Sequence, residues 1–413
     1  MKRLLVLAAG ILQVPIIKRA REIGYYVIAA DGDPNAVGLQ YANKAIVANI
    51  MNEDAMLAIA REEKIDGVIH PCSEVSMNVM GRINDEMGLT GVSRQQAITA
   101  TNKHLMRKAF EKAGAPSPKS FCFEKAEEAW ECFCKELPND GILKPSRNSG
   151  SRGISKVWKA EFQCSNGFQK FQELFERSKA ESRDKSVLLE QFVDGPEFSV
   201  EIIVWNGHVN VLTVTDKKTT EAPYFVELGH NQPSTFPTDI VEKIKAAAVV
   251  GVKALEVNNC ACHAEVKFEF EKGLNGLSSL NGSAYIMEIG ARMGGDFIST
   301  VLTRLSTGVN MIDAAVNCAL GLEPDLTPKA ESQGVCIRYF CPKPGILVSI
   351  SNTKLLDDPR VHEWEIYHKE GDMIPEVTSS LCRSGHVIVS EQTSLKAIAY
   401  AESLLENVKL ETK

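Results

Sequence analysis

His263-Ala264-Glu265-Val266-Lys267-Phe268-Glu269-Phe270 and, beyond a polar loop, Tyr285-Ile286-Met287-Glu288-Ile289-Gly290-Ala291-Arg292-Met293-Gly294-Gly295-Asp296 read as two apolar strands interrupted by acids. Alternation places Glu265, Lys267 and Glu269 on one face of the first strand. Glu288 stands between apolar neighbours in the second. A carboxylate inside an apolar strand is costly unless it has a partner. Paired as an antiparallel hairpin, the two strands would bring Glu265 and Glu288 together, and the two would repel unless a cation lay between them. An oxygen-only ligand pair suits Mg²⁺, which takes one or two carboxylates plus phosphate oxygens and water. A structural ion-pair network with Lys267 and Arg292 accounts for the same residues, and residue types leave both readings open.

Working outward, residues 271–284 are rich in Gly, Ser and Asn and read as the hairpin loop. Upstream, Val187-Leu188-Leu189-Glu190-Gln191-Phe192-Val193-Asp194-Gly195-Pro196-Glu197 is an apolar strand that reaches polar residues, turns at Asp-Gly-Pro and re-enters a strand. Its backbone can meet an adenine edge, with a carboxylate close by for ribose hydroxyls; an ordinary hairpin with solvated acids is the alternative. Earlier still, Lys144-Pro145-Ser146-Arg147-Asn148-Ser149-Gly150-Ser151-Arg152-Gly153 lies between two apolar strands. Small residues let backbone N–H groups close on phosphate oxygens, and Lys144 adds a point charge. A Gly/Ser hairpin turn fits equally, and the spacing excludes a P-loop.

The first hundred residues alternate short apolar runs (4–9, 25–30, 45–48, 67–70) with helical patterns (15–23, 53–62, 76–87). Strands separated by helices of this length form βαβ units around a parallel sheet. The first βα turn holds a single glycine, Gly10, where a dinucleotide fingerprint needs three, so a Rossmann-like fold used as a structural partner is the better reading. Further helices are expected at 103–113, 239–256, 297–320 and 394–408, with strands at 198–205, 208–215, 335–340 and 385–390.

Composition narrows the function. The 413 residues hold 46 Lys+Arg against 53 Asp+Glu, a net charge of -7 without a basic stripe, which argues against nucleic acid as a partner. The longest apolar runs are far shorter than the roughly 20 residues of a membrane span. The opening Met-Lys-Arg-Leu-Leu-Val-Leu-Ala-Ala-Gly mimics a signal peptide, but an amphipathic segment follows instead of a cleavage region. Eleven cysteines without framework spacing fit a reducing cytoplasm. No Ser-His-Asp elbow and no biotin-type Met-Lys-Met site is readable.

In this order the pieces resemble the ATP-grasp superfamily, and within it the carboxylate–amine ligases of the L-amino-acid ligase type. The resemblance implies an α/β chain, α+β in parts, with four regions. These are a Rossmann-like preATP domain at 1–102, a lid domain with its linker helix at 103–193, a central nucleotide-gripping antiparallel domain at 194–322 and a C-terminal α/β subdomain at 323–413. It implies ATP and Mg²⁺ as cofactors, with Mn²⁺ as a substitute. Lys103 and Lys144 match the family's nucleotide-binding lysines, and Ser149, Gly150, Ser151 and Gly153 its lid loop. Glu190, Gln191, Phe192 and Val193 match the adenine hinge, and Glu197 the ribose acid. Glu265 and Glu288 match the metal carboxylates, and Arg292 the arginine that meets the acyl phosphate. Gly290 stands where many members carry a metal-binding Asn. Gly229-His230-Asn231-Gln232-Pro233 is similar to a Gly-His-x-x-Pro segment whose histidine lies near substrate, which makes His230 catalytic or substrate-binding. Glu74, at the carboxyl end of a preATP strand, is placed to hold a substrate ammonium. Gly294, Gly295 and Asp296 complete the expected substrate contacts.

The implied activity activates a carboxylate as an acyl phosphate and couples it to an amine. The implied partners are small-molecule carboxylates and amines, without nucleic acid or membrane. A homodimer, a carrier-protein thiol as acceptor, and a nucleotide-binding regulatory role without catalysis are alternatives the sequence leaves open.

Overall fold

The computed structural model describes residues 1–413 except 149–151, 163–165, 222–223 and 273–277, and it leaves undescribed the side chains of 272 and 278–280. The chain begins with β1 (Arg3–Leu7), α1 (Val14–Glu22), β2 (Tyr26–Asp31), β3 (Lys44–Val47), α2 (Glu53–Glu62), β4 (Gly67–Ile69) and α3 (Met77–Met87). The strands form a parallel sheet of order β3-β2-β1-β4, the βαβ arrangement expected. Buried Leu4, Leu5, Val6 and Leu7 fill both of its faces. Local capping starts the helices as the residue types predict. Asn52 accepts from Ala55 N–H to open α2, and Ser93 with Gln96 forms a capping box on α4 (Arg94–Ala100). Asn102 accepts from Leu105 N–H and places Lys103 in the first turn of α5 (Lys103–Ala113).

A second unit follows: β5 (Ser120–Phe123), α6 (Ala126–Glu136), β6 (Gly141–Pro145), β7 (Ser155–Val157), α7 (Lys159–Phe162), α8 (Gly167–Glu181) and β8 (Val187–Gln191). Its antiparallel sheet, ordered β5-β8-β6-β7, packs on a cluster that includes Phe133, Phe171 and Phe175.

The rest is built on one eight-stranded antiparallel sheet. Its strands are β9 (Glu197–Trp205), β10 (His208–Thr219), β11 (Glu227–Gln232), β12 (Cys260–Lys272), β13 (Ser278–Gly290), β14 (Gly334–Tyr339), β16 (Val361–Ile366) and β18 (Gly385–Glu391). Their order is β13-β12-β9-β10-β11-β14-β18-β16, so C-terminal strands continue the same sheet that carries Glu265 and Glu288. Between β11 and β12 runs α9 (Thr238–Ala254), and α12 (Ser394–Asn407) packs on β14 and β18 through Ala397, Ala401 and Leu404. A small sheet of β15 (Gly345–Ser351), β17 (Met373–Ile374) and β19 (Lys409–Thr412) closes the C-terminal end. Among the described residues no helix is long and apolar enough to cross a membrane.

Two expectations are corrected. Residues 278–284, expected in a loop, belong to β13: the long alternating β12 supplies a ladder that outweighs their weak strand propensity. The single helix expected over 297–320 is broken. A π-type turn (Ile298–Leu302) leads into α10 (Thr303–Thr307) and Gly308 adopts φ +74, the left-handed conformation that ends helices. Asn310 then caps α11 (Met311–Ala319) by accepting from Ile312 and Asp313 N–H.

Candidate active site

Pairing of β12 with β13 sets Glu265 directly opposite Glu288. Their direct ion pairs are with Lys103 and Lys217 and not with Lys267 or Arg292, although the Arg292 charge still acts on both through space. Lys103 reaches Glu288 at 2.9 Å from α5, and it also donates to the Asn148 carbonyl at 2.9 Å. Lys217 of β10 reaches Glu265 at 3.4 Å, Glu197 at 2.6 Å and Glu227 at 3.0 Å. Burial disfavours both ammonium groups, but the carboxylates around them outweigh it, and each lysine is held above the usual range, Lys217 far above. Glu265 is held well below the ordinary carboxylate range: burial opposes this, and Lys217 and His263 outweigh it.

Glu190, from β8, lies in a closed network. Lys144 of β6 reaches it at 2.5 Å and Arg107 of α5 at 2.8 Å. Burial pushes its carboxyl up, but the two cations hold it at about 2. Arg107 also donates to the Met287 carbonyl at 2.7 Å, which ties α5 to β13. The backbone N–H groups of Gln191 and Phe192 donate to the Lys119 and Asp140 carbonyls, so two of the expected hinge donors already have partners. Lys156 sits 3.5 Å from the centre of the Phe192 ring, and Val193 is buried. Gly153 takes φ +74 at the end of the expected lid loop, whose Ser149, Gly150 and Ser151 lie outside the described residues.

β13 ends at Gly290, two residues short of Arg292, and the arginine pairs with Glu74 at 3.0 Å. Its Nε is buried without a hydrogen-bond partner among the described residues. Glu74 comes from the loop after β4, which His70 fastens: Nδ1 donates to the Leu7 carbonyl at 2.9 Å and Nε2 accepts from Ser76 N–H at 3.2 Å. Burial pushes His70 down to about 4, so the ring is neutral. Cys72 of that loop donates to the Gly294 carbonyl, while Gly294 N–H donates to Ser299 Oγ at 2.7 Å. Ser299 and His263 in turn hold Glu201, buried on β9. Among the described residues, no heavy atom beyond Gly295 and its two chain neighbours lies within 4 Å of where a Cβ on Gly295 would be.

Past those glycines, Asp296 pairs with both amino groups of Arg383 at 2.6 and 2.9 Å and lies 3.4 Å from His230 Nε2. Glu227, His230 and Asp296 bring ligand atoms within 4.8 Å of one another, a spacing fit for a cation. There, Lys217 on Glu227 and Arg383 on Asp296 already supply positive charge. Arg107, Lys217, Glu201 and Arg383 were missed in the sequence. For Arg107, Lys217 and Glu201 the only signal was charge in a helix or an apolar strand, Arg383 lies outside both, and the partners of all four lie far along the chain.

The chain is similar to known proteins in two segments. Residues 137–294 match the ATP-grasp domain and residues 338–413 the L-amino acid ligase C-terminal domain 2. The formate-dependent phosphoribosylglycinamide formyltransferase of Methanocella arvoryzae is 26% identical over 230 residues, 56% of this chain and 50% of the relative. The chain thus spans about half the length of that relative. Alanine–anticapsin ligase of Bacillus subtilis is 27% identical over 287 residues, 65% of this chain and 57% of the relative. In structure, L-amino acid ligase from Bacillus licheniformis superposes with a TM-score of 0.79 over 100% of this chain and 99% of that one, at 19% identity. Residues 137–294 thus carry an ATP-grasp domain and residues 338–413 an L-amino acid ligase C-terminal domain 2, and strands of both lie on one shared sheet.

Proposed function

We propose that the chain is an ATP- and Mg²⁺-dependent ligase that activates a carboxylate, that of an amino acid, as an acyl phosphate and couples it to an amine. The observation that carries this reading is the opposition of Glu265 and Glu288. Both are partly open, at 32% and 20% side-chain exposure, where a scaffold pair would be closed. Two facing carboxylates with only oxygen to offer fit Mg²⁺, and Glu265 and Glu288 are the residues that would hold it. With ATP bound, the metal supplies charge neutralisation for phosphoryl transfer.

The chain's own groups account for the rest. Lys103 and Lys144 bring positive charge to the phosphates, and Glu197 stands ready for ribose hydroxyls. Arg292 offers a planar fork to the acyl phosphate, with Glu74 beside it for the substrate ammonium. The buried, unpartnered Arg292 Nε is a donor left for a ligand.

The same activation can end on a carrier-protein thiol, or the fold can serve nucleotide binding alone. The ten described cysteines are all free, in keeping with a reducing cytoplasm. The test is ATP turnover against a panel of amino-acid pairs, with products read by mass spectrometry. ADP formation that depends on an added amino acid and yields an amide supports the ligase. ATP binding without amino-acid-dependent ADP formation would replace it with the regulatory reading.

A further inference from the structure

The segment that follows Arg292 is held from the C-terminal domain. Asp296 and Phe297 both adopt left-handed backbone, at φ +48 and +61, which is uncommon for residues other than glycine. Each is gripped by a residue near β18. The Phe297 ring packs on His386 with centroids 4.4 Å apart, and Arg383 forks onto Asp296. Arg383 itself is locked. It lies 3.6 Å from the centre of the Tyr339 ring, donates from Nε to the Ser380 carbonyl and donates to the Glu227 carbonyl at the start of β11. One guanidinium therefore ties together the loop after Arg292 and the strand that carries His230. None of its hydrogen bonds goes to Lys103, Lys144, Glu190, Glu265 or Glu288.

His230 is fully buried. Its Nε2 faces Asp296, and its Nδ1 has no hydrogen-bond partner among the described residues. A carboxylate behind one ring nitrogen fixes the tautomer and leaves the lone pair on the other. That is the arrangement of a base awaiting a proton. The group that must give one up is the amine, which arrives as an ammonium and attacks only when neutral.

Resting on the ligase reading, we propose that Arg383 is a positioning residue for the second half-reaction: it holds Asp296 against His230, and so readies the imidazole to take the proton the amine must lose. In that step the ammonium gives one proton to His230 and its freed lone pair forms the bond to the acyl carbon. The bond from that carbon to the phosphate oxygen breaks with its electrons on phosphate, which accepts the second N–H proton as it leaves.

Hydroxylamine separates this role from a structural one, because it is neutral near pH 7 and needs no base to attack an acyl phosphate. For Arg383→Met, amide formation with an amino acid as the amine is expected to fall by on the order of 10²-fold, within the usual range for a general base. Hydroxamate formation from the same carboxylate should stay within about threefold, since that route does not use the base. Arg383→Lys should recover part of the amide rate. Asp296→Asn should match the amide loss of Arg383→Met, with no further loss in the double variant, because the two act as one unit. Equal losses in both products, or no loss in either, with thermal unfolding unchanged, would overturn the proposal. Should Arg383→Met not fold, additive losses for Arg383→Lys and Asp296→Asn would overturn it as well. Wild-type protein that makes neither hydroxamate nor amide from any amino acid would overturn the ligase reading, and this inference with it.

Discussion

Glu190 and the Glu265–Glu288 pair are all acids in apolar strands, yet the fold treats them in opposite ways. Glu190 is enclosed, 2% exposed, and answered by two cations, Arg107 and Lys144. Glu265 and Glu288 face each other; Glu288 has a single ammonium, while Glu265 shares Lys217 with two other carboxylates and lies 3.8 Å from His263, which Glu201 also holds. Cations outnumber the carboxylate at the first site, and carboxylates outnumber cations at the second. The enclosed acid therefore joins α5, β6 and β8 into one body, and the open pair keeps oxygens for a ligand. A like-charge pair persists on a sheet only where something else contributes the missing positive charge.

The comparison makes Glu190→Gln the most damaging change to the fold. It leaves Arg107 and Lys144 buried without their counter-charge, and breaking a buried pair costs about 3–5 kcal/mol. Denaturant unfolding should show that loss, and an unchanged midpoint would mean the network is not structural. On the open side, Arg292→Lys removes the fork but keeps the charge. Turnover should fall by on the order of 10²–10³, as for loss of one preorganised donor, with little change in ATP affinity. Near-normal turnover would reduce Arg292 to a counter-ion for Glu74.

Glu265→Gln and Glu288→Gln should each raise the magnesium needed for half-maximal activity, by on the order of 10–100-fold, the range seen when metal sites lose a supporting group. Their unfolding curves should stay close to wild type, the opposite of Glu190→Gln. A stability loss without a magnesium shift would merge the two classes and break the comparison.

The smallest effect concerns the loop that brings Glu74 to Arg292. His70 is neutral when folded, depressed from 6.5 to about 4 by burial. A folded value below the unfolded one means its contribution is fully present above pH 6.5 and is lost as pH falls toward 4. The stability gap between wild type and His70→Gln should shrink across that window, by at most about 1.4 kcal/mol per pH unit. A gap that is flat with pH would show that the ring titrates normally.

What the sequence disclosed follows from range. The opposed acids were legible because alternation sets their faces and a polar loop sets their pairing. The parallel sheet was legible because the βαβ period is local. Arg107 was hidden because its carboxylate is 83 residues away, and Lys217 because it serves three acids on three strands. Arg292 was singled out by its motif, but its pairing with Glu74 was not legible, since the strand stops two residues short of it and Glu74 lies far along the chain. The break at Gly308 escaped because a single glycine in an apolar run is also compatible with a continuous helix. Asp296 was chosen as a substrate contact, while its partner Arg383 lies 87 residues on, in a stretch without any pattern that tied it to the site.

The central claim is that these residues pass a phosphoryl group to a carboxylate. Supplying the amino-acid substrate with ¹⁸O in its carboxylate and analysing the released phosphate tests it most directly. Phosphate that carries one ¹⁸O is the predicted result, because an acyl phosphate hands one carboxylate oxygen to phosphorus. Unlabelled phosphate, released while amide accumulates, would contradict the account.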